Sequence, residues 1–285
     1  MLKRIITSVV ALLIFLPFLI FSAQPAIVFV IPMALLALAA VYEIAKCTGV
    51  KNRPLFVVPF YVFAIAESVM ARYIADDGKF FTYTALAVFL LIFISFALAT
   101  FSKGKIHVLD ASCAAMASVY VSLSFAFLIR LRDFSLGGVS VGAKIFVLSF
   151  LFAWVPDIGG YFAGRFFGKR KLIPDVSPKK TVEGLYGGII LSVVAALIYS
   201  LVISAKPMGY LVFAILGALC ALVSVCGDLL ASLIKRHYGI KDYGFIFPGH
   251  GGVMDRFDSV IAVAPVLYIL VFVLSEFGIF TSSLF

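Results

Sequence analysis

Charge is scarce in this sequence. Asp, Glu, Lys and Arg together make up 13% of its 285 residues, against 64% apolar. A soluble domain needs far more polar surface than that, so a soluble globular fold is excluded and a polytopic membrane protein is expected. Acidic residues are scarcest, with 14 Asp and Glu against 23 Lys and Arg. In such a chain the excess of positive charge reports topology, not nucleic acid, and no nucleic-acid partner is expected. Cysteine is limited to Cys47, Cys113, Cys220 and Cys226, none in a CxxC pair, and the three histidines, His107, His237 and His250, are scattered. That spacing excludes a zinc ribbon and a disulfide framework. There is also no low-complexity segment and no clear internal repeat, which counts against a transporter built from inverted halves.

What the sequence has in abundance is apolar runs of about 20 residues, the length that crosses a bilayer as a helix. Nine are expected: 5–22, 26–45, 55–74, 81–101, 109–130, 143–163, 184–204, 208–234 and 256–280. The first resembles a signal peptide, but Pro25 follows closely and the run is long enough to span, so a retained helix is expected. With the N-terminus placed inside, only Arg72, Lys79, Arg130, Arg132, Lys144 and Lys206 fall outside. The positive-inside bias therefore predicts a cytoplasmic N-terminus, an outside C-terminus, and loops 164–183 and 235–255 together on the cytoplasmic face. The fold class expected is all-α and polytopic. Residues 1–140 are read as scaffold and lipid-facing helices, and 141–285 as a catalytic transmembrane domain.

The few charges are concentrated. From Val223 to Ser259 the chain carries Asp228, Lys235, Arg236, Lys241, Asp242, His250, Asp255, Arg256 and Asp258 between apolar flanks. An ionisable group in or beside hydrocarbon is costly, so each is a candidate functional residue. Asp228, Ser232 and Lys235 share a helix face, and so do Asp255 and Asp258. Between them lie Gly239, Gly244, Gly249, Gly251 and Gly252, where backbone N–H groups can approach a phosphate. Carboxylates, bases and a glycine loop together suit metal-assisted phosphoryl or nucleotidyl transfer. Asp255 has a simpler reading as a helix cap, and Lys235 and Arg236 as membrane anchors.

A second polar island runs from Trp154 to Gly188. Asp157 sits in an apolar span. Gly160, Gly164 and Gly168 form a stripe, read either as close helix packing or as a smooth wall for a nucleotide. Lys169, Arg170 and Lys171, then Ser177, Pro178, Lys179, Lys180 and Thr181, then Glu183, make a basic, hydroxyl-bearing turn into a helix. That arrangement suits a polyphosphate, although anionic lipid would also account for the charge.

The run S-L-I-K-R-(x4)-K-D-(x5)-P-G-H-G-G-V-M-D-R-F-D, from Ser232 to Asp258, resembles the signature of the phosphatidate cytidylyltransferases, the CDP-diacylglycerol synthases. D-x-G-G-Y-x-x-G-(x3)-G-K from Asp157 and S-P-K-K-T-x-E-G from Ser177 resemble two further segments of that family, with Gly160 where many members carry Ala. The resemblance covers most of 150–262. It implies transfer of CMP from CTP to phosphatidic acid in the inner membrane, with the active site facing the cytoplasm. It implies a catalytic set of Asp228, Lys235, Arg236, Asp242, His250, Asp255 and Asp258. It implies CTP or phosphate contacts from Asp157, Tyr161, Lys169, Ser177, Lys179, Lys180, Thr181, Glu183 and Arg256. Mg²⁺ on Asp228, Asp255 and Asp258 is expected, with room for a second, monovalent cation. Membrane lipid is the other partner, and the small-residue stripe is compatible with a homodimer. The competing readings are another CTP-dependent lipid enzyme (a polyprenol or phytol kinase, or a CDP-archaeol synthase) and an ion-coupled secondary transporter.

Overall fold

The computed structural model describes residues 27–247 and 251–285. The expected helix 5–22 and His250 lie outside them. Eight helices account for most of the rest: α1 Ile27–Cys47, α2 Pro54–Tyr73, α3 Asp77–Phe101, α4 Val108–Arg132, α5 Gly142–Phe167, α6 Val182–Val202, α7 Pro207–His237 and α8 Met254–Glu276. All eight are long and apolar enough to cross a membrane. Each coincides, within a few residues at either end, with a span expected from the sequence. The reason is physical: in lipid a single chain segment satisfies its backbone groups only as a helix. Pro54 opens α2, where a missing N–H costs nothing. The Asp76 carboxylate accepts from Lys79 N at 2.7 Å and starts α3.

Among the described residues the fold departs from all-α in two short hairpins. β1 Ser135–Leu136 pairs antiparallel with β2 Val139–Ser140. Its turn is Gly137-Gly138, both at positive φ (55° and 81°), which a hairpin of this length requires. β3 Lys171–Ile173 pairs with β4 Ser177–Thr181, so the expected loop 164–183 is largely a hairpin. Spans of apolar residues locate helices, but these polar connections carried no alternating pattern long enough to announce strands.

The chain divides into two compact units. The first contains the described residues up to Ile129 together with His237–Arg256, and the second contains Arg130–Arg236 and Phe257–Phe285. In the first, α1 packs on α2 and α2 on α3. Met33, Ala37, Val41 and Ile44 of α1 are buried, as are Phe56, Phe60 and Phe63 of α2. Glu67 of α2 is also fully buried and accepts from Thr84 Oγ1 of α3 at 3.0 Å.

In the second unit the dominant contact is α5 against α6. It is made by glycine on both sides. A Cβ at Gly159 would lie 2.7 Å from Gly187 O, one at Gly184 2.8 Å from Gly160 O, and one at Gly188 2.7 Å from Pro156 O. The packing reading of the small-residue stripe therefore describes what Gly160 and Gly164 do. Hydrogen bonds tie the other helices on: Ser192 Oγ donates to Gly217 O (2.9 Å) and Ser224 Oγ to Ala153 O (2.8 Å). Gly227 of α7 leaves no room for a side chain against Asp258 O and Ala262 of α8.

Candidate active site

The second unit gathers carboxylates from three helices. Asp228 lies on α7, Asp157 on α5 beside Pro156, and Asp258 on the second turn of α8. The Gly227–α8 approach brings the chain next to Asp228 onto the turn that carries Asp258. Lys180, near the end of β4, places its ammonium 2.5 Å from Asp228 Oδ2. Asp157 feels the charges of Lys180 and Asp228. Asp258 feels those of Asp228, Lys235 and Asp157. Ser259 Oγ lies 3.4 Å from Asp157 Oδ2 and 3.3 Å from Ser224 O, which ties the α8 turn to α5 and α7. The Asp258 Oδ1 atom accepts from Ser259 N at 2.8 Å. The Lys180 and Asp228 side chains are 21% and 26% exposed, while the Lys180 ammonium itself is buried against Asp228.

Lys180 owes its position to the hairpin, and the hairpin owes its position to two residues at the start of α6. Thr181 caps that helix, its Oγ1 accepting from Gly184 N at 3.1 Å. The Glu183 carboxylate accepts from Lys169 N (3.0 Å) and Arg170 N (3.2 Å), and Val182 N donates to Arg170 O (2.9 Å). Thr181 and Glu183 thus fix the backbone that presents the basic residues. Lys169 and Lys179 are exposed on that frame, and Ser177 pairs with Ile173 across the hairpin. Tyr161 is exposed on α5 and accepts from Arg165 Nη1 at 3.0 Å.

In the first unit two carboxylates hold the described residues on either side of 248–250. Asp255 Oδ2 accepts from Tyr243 N (2.8 Å) and Gly252 N (2.9 Å). Glu43, buried on α1, accepts from Val253 N with one oxygen and Met254 N with the other, each at 2.9 Å. Side chains at Gly244 or Gly252 would collide with the Glu43 carboxyl. Glu43 therefore caps α8 from another helix. The sequence reading gave Glu43 no role. The available signal was a lone carboxylate in an apolar span, but its partners lie 210 and 211 residues away. Phe247 N donates to Gly251 O at 2.9 Å, with Gly251 at φ 90°. Asp242 and Arg256 are exposed, as is Arg236 in the second unit, while Lys235 is half-buried.

Removing the Glu43 oxygens orphans two buried N–H donors, at about 1–3 kcal/mol each. Glu43→Ala is therefore expected to lower Tm measurably and to leave the 238–253 segment open to proteolysis. Glu43→Gln, which keeps one acceptor oxygen, is expected to fall between. Limited proteolysis with mass mapping of the cut sites reads both effects, and an unchanged pattern in Glu43→Ala would contradict the capping role.

Among the described residues no three His, Cys, Asp or Glu side chains are grouped so that they could together hold a metal ion. The donor set of the second unit is nonetheless one that Mg²⁺ accepts. Mg²⁺ takes one or two carboxylates and fills its remaining positions with water and substrate phosphate. Asp228, already paired with a cation, and Asp258 supply hard oxygen of that kind.

Comparison with known proteins finds relatives along nearly the whole chain. A family model described as the cytidylyltransferase family matches residues 2–274. The chain is 33% identical over 268 residues to proteins named phosphatidate cytidylyltransferase from Staphylococcus epidermidis (94% of this chain, 97% of the relative) and Bacillus subtilis (94% and 96%). It is 33% identical over 273 residues to one from Staphylococcus aureus (94% and 97%).

Proposed function

The chain belongs to the cytidylyltransferase family, and we propose that it transfers CMP from CTP to phosphatidic acid, giving CDP-diacylglycerol and pyrophosphate. The observation that carries this reading is the cluster of Asp157, Asp228 and Asp258 with Lys180 and Lys235, beside a hairpin with further exposed lysines. It supplies oxygen ligands for a hard cation and positive charge for a polyphosphate at one place.

The phosphate of phosphatidic acid carries its own nucleophile. A phosphomonoester has a second pKa of about 6, so it is largely dianionic at neutral pH and needs no strong general base. One of its oxygens forms a bond to the α-phosphorus of CTP. The bond from that phosphorus to the bridging α–β oxygen breaks, and pyrophosphate leaves with the electron pair. Catalysis is then chiefly positioning and charge stabilisation. Lys180, on a backbone fixed by Thr181 and Glu183, would face the departing phosphates, with Lys179 and Lys169 on the same frame. Lys235 would meet the same charge from α7. Asp228 and Asp258 would hold Mg²⁺, with Asp157 as the third carboxylate of the cluster. When bound, that ion neutralises the phosphate oxygens and polarises the phosphorus. Asp255 would act by holding the Tyr243 and Gly252 backbone in place.

The membrane setting follows the same reasoning. Phosphatidic acid would reach the cluster from the bilayer, and CTP from water. The excess of Lys and Arg on alternate connections favours a cytoplasmic N-terminus and a site facing the cytoplasm across the inner membrane.

The test is label transfer from [α-³²P]CTP, using purified protein with phosphatidic acid and Mg²⁺ in detergent. Label is expected in an organic-extractable product only when phosphatidic acid is present, and chelation of divalent ions is expected to abolish it. Transfer of γ-label to a prenol with no α-label moving would replace this reading with a kinase. Movement of neither label in folded protein would reject it.

A further inference from the structure

The first unit holds a cavity of about 410 Å³ that the proposed reaction does not use. Thr48, Asn52 and Arg53 from the α1–α2 connection line it, with Lys105 and His107 from the α3–α4 connection and Asp110 from the first turn of α4. Both connections lie at the same ends of successive antiparallel helices, so the cavity opens at one face of the membrane. Tyr238 belongs to the same face, because its hydroxyl donates to Asp110 Oδ1 at 3.1 Å.

Three features define the ligand. Neither Arg53 nor Lys105 forms an ion pair with another described residue. These two cations and the Asp110 carboxylate leave the lining with a single net positive charge when His107 is neutral. That matches a monoanionic phosphodiester better than a dianionic phosphomonoester or a polyphosphate. Arg53 and Lys105, with the Asn52 amide and His107, offer the donor set that phosphate oxygens take. The third feature is what flanks the cavity. Leu55, two residues from Arg53, is 75% exposed, and Leu109, beside Asp110, is 80% exposed. Apolar side chains next to a basic pocket at a membrane face suit acyl chains leaving a headgroup.

We propose that this cavity binds the phosphodiester headgroup of an anionic membrane phospholipid, and that occupancy acts on the 238–253 segment through Asp110 and Tyr238. None of the residues lining the cavity belongs to the carboxylate cluster, and its ligand is neither proposed substrate. A lipid in the pocket would draw Arg53 and Lys105 onto its phosphate and so change the field at Asp110, the residue that anchors the start of the segment. Abundant anionic lipid would thereby bear on an enzyme that makes precursors for such lipids.

The first measurement is binding, which uses no CTP and so stands apart from the proposed reaction. Full-length protein in detergent is titrated with phosphatidylglycerol, phosphatidylcholine or phosphatidic acid, and retained lipid is counted by native mass spectrometry. Wild type is expected to retain phosphatidylglycerol in preference to the other two. Arg53→Gln/Lys105→Gln is expected to bind it about tenfold more weakly, having lost two charge-assisted contacts. An unchanged melting temperature would show that the double variant is folded. The second measurement is CMP transfer in phosphatidylcholine vesicles with and without phosphatidylglycerol. Wild type is expected to respond to phosphatidylglycerol. The double variant is expected to match its rate in phosphatidylcholine but not to respond, and Tyr238→Phe to bind lipid with a blunted response. Equal phosphatidylglycerol binding by wild type and the double variant would overturn the site. Displacement of the lipid by millimolar inorganic phosphate would overturn the lipid assignment in favour of a free-anion site. Binding without any response in wild type would overturn the coupling through Tyr238.

Discussion

Asp228→Asn is expected to reduce CMP transfer by about a hundredfold to a thousandfold, the range seen when one electrostatic contact to a transition state is removed. The substitution keeps the size and shape of the side chain and removes only its charge. Three consequences then converge. Lys180 loses the anion 2.5 Å away that fixes its ammonium. The Mg²⁺ proposed above would lose one of its two carboxylates. Asp258, which feels both Asp228 and Lys235, faces a cluster with one fewer negative charge. Some stability should also be lost, since the Lys180 ammonium is buried and Asp228 is the anion that offsets its desolvation. The measurement is the rate of [α-³²P]CTP incorporation at saturating phosphatidic acid, alongside a thermal melt in detergent. A rate within tenfold of wild type would remove Asp228 from the site. Lys180→Met in the same assay separates the roles. A loss of similar size with Mg²⁺ activation intact would assign Lys180 to phosphate charge.

Gly188→Leu is expected to act on the fold first and on activity as a consequence. A Cβ at Gly188 meets Pro156 O at 2.7 Å, and the remaining leucine atoms have only the backbone of α5 to push against. Overpacking of this kind costs about 1–3 kcal/mol or more, which lowers Tm on the order of 5–10 °C. Gly188→Ala should shift Tm in the same direction and less. Activity falls with it because α6 is continuous with β4 through Thr181, so a displaced α6 carries Lys180 away from Asp228. The two substitutions are therefore expected to differ in kind: Asp228→Asn loses far more activity than its melting temperature accounts for, whereas the activity of Gly188→Leu falls in step with its stability. A Gly188→Leu protein with wild-type Tm would show that α5 and α6 tolerate a wider separation than their glycines imply.

Much of this was legible in the amino-acid sequence. Run length alone located all eight described helices, because a bilayer admits no other economical way to satisfy the backbone over about 20 apolar residues. Charge in an apolar chain is costly, so Asp157, Lys180, Asp228 and Asp258 stood out before any geometry was known. The glycine stripe at Gly160 and Gly164 was also visible, and its packing role was one of two readings offered.

Tertiary structure decided which of these groups meet. Periodicity assigns residues to faces of one helix but does not say which faces of different helices pack together. Asp157, grouped by sequence with the phosphate contacts, joins Asp228 and Asp258 because glycines let α5, α6, α7 and α8 approach closely. Glu183 and Thr181 share a basic segment with Lys180, yet they hold backbone N–H groups while Lys180 faces Asp228. Glu43 caps a helix 210 residues away, a pairing no local pattern could announce. The sequence by itself determined the membrane setting and the kinds of chemical group available. Only packing determined their division of labour, since a carboxylate becomes a cap or a ligand according to the donors that surround it.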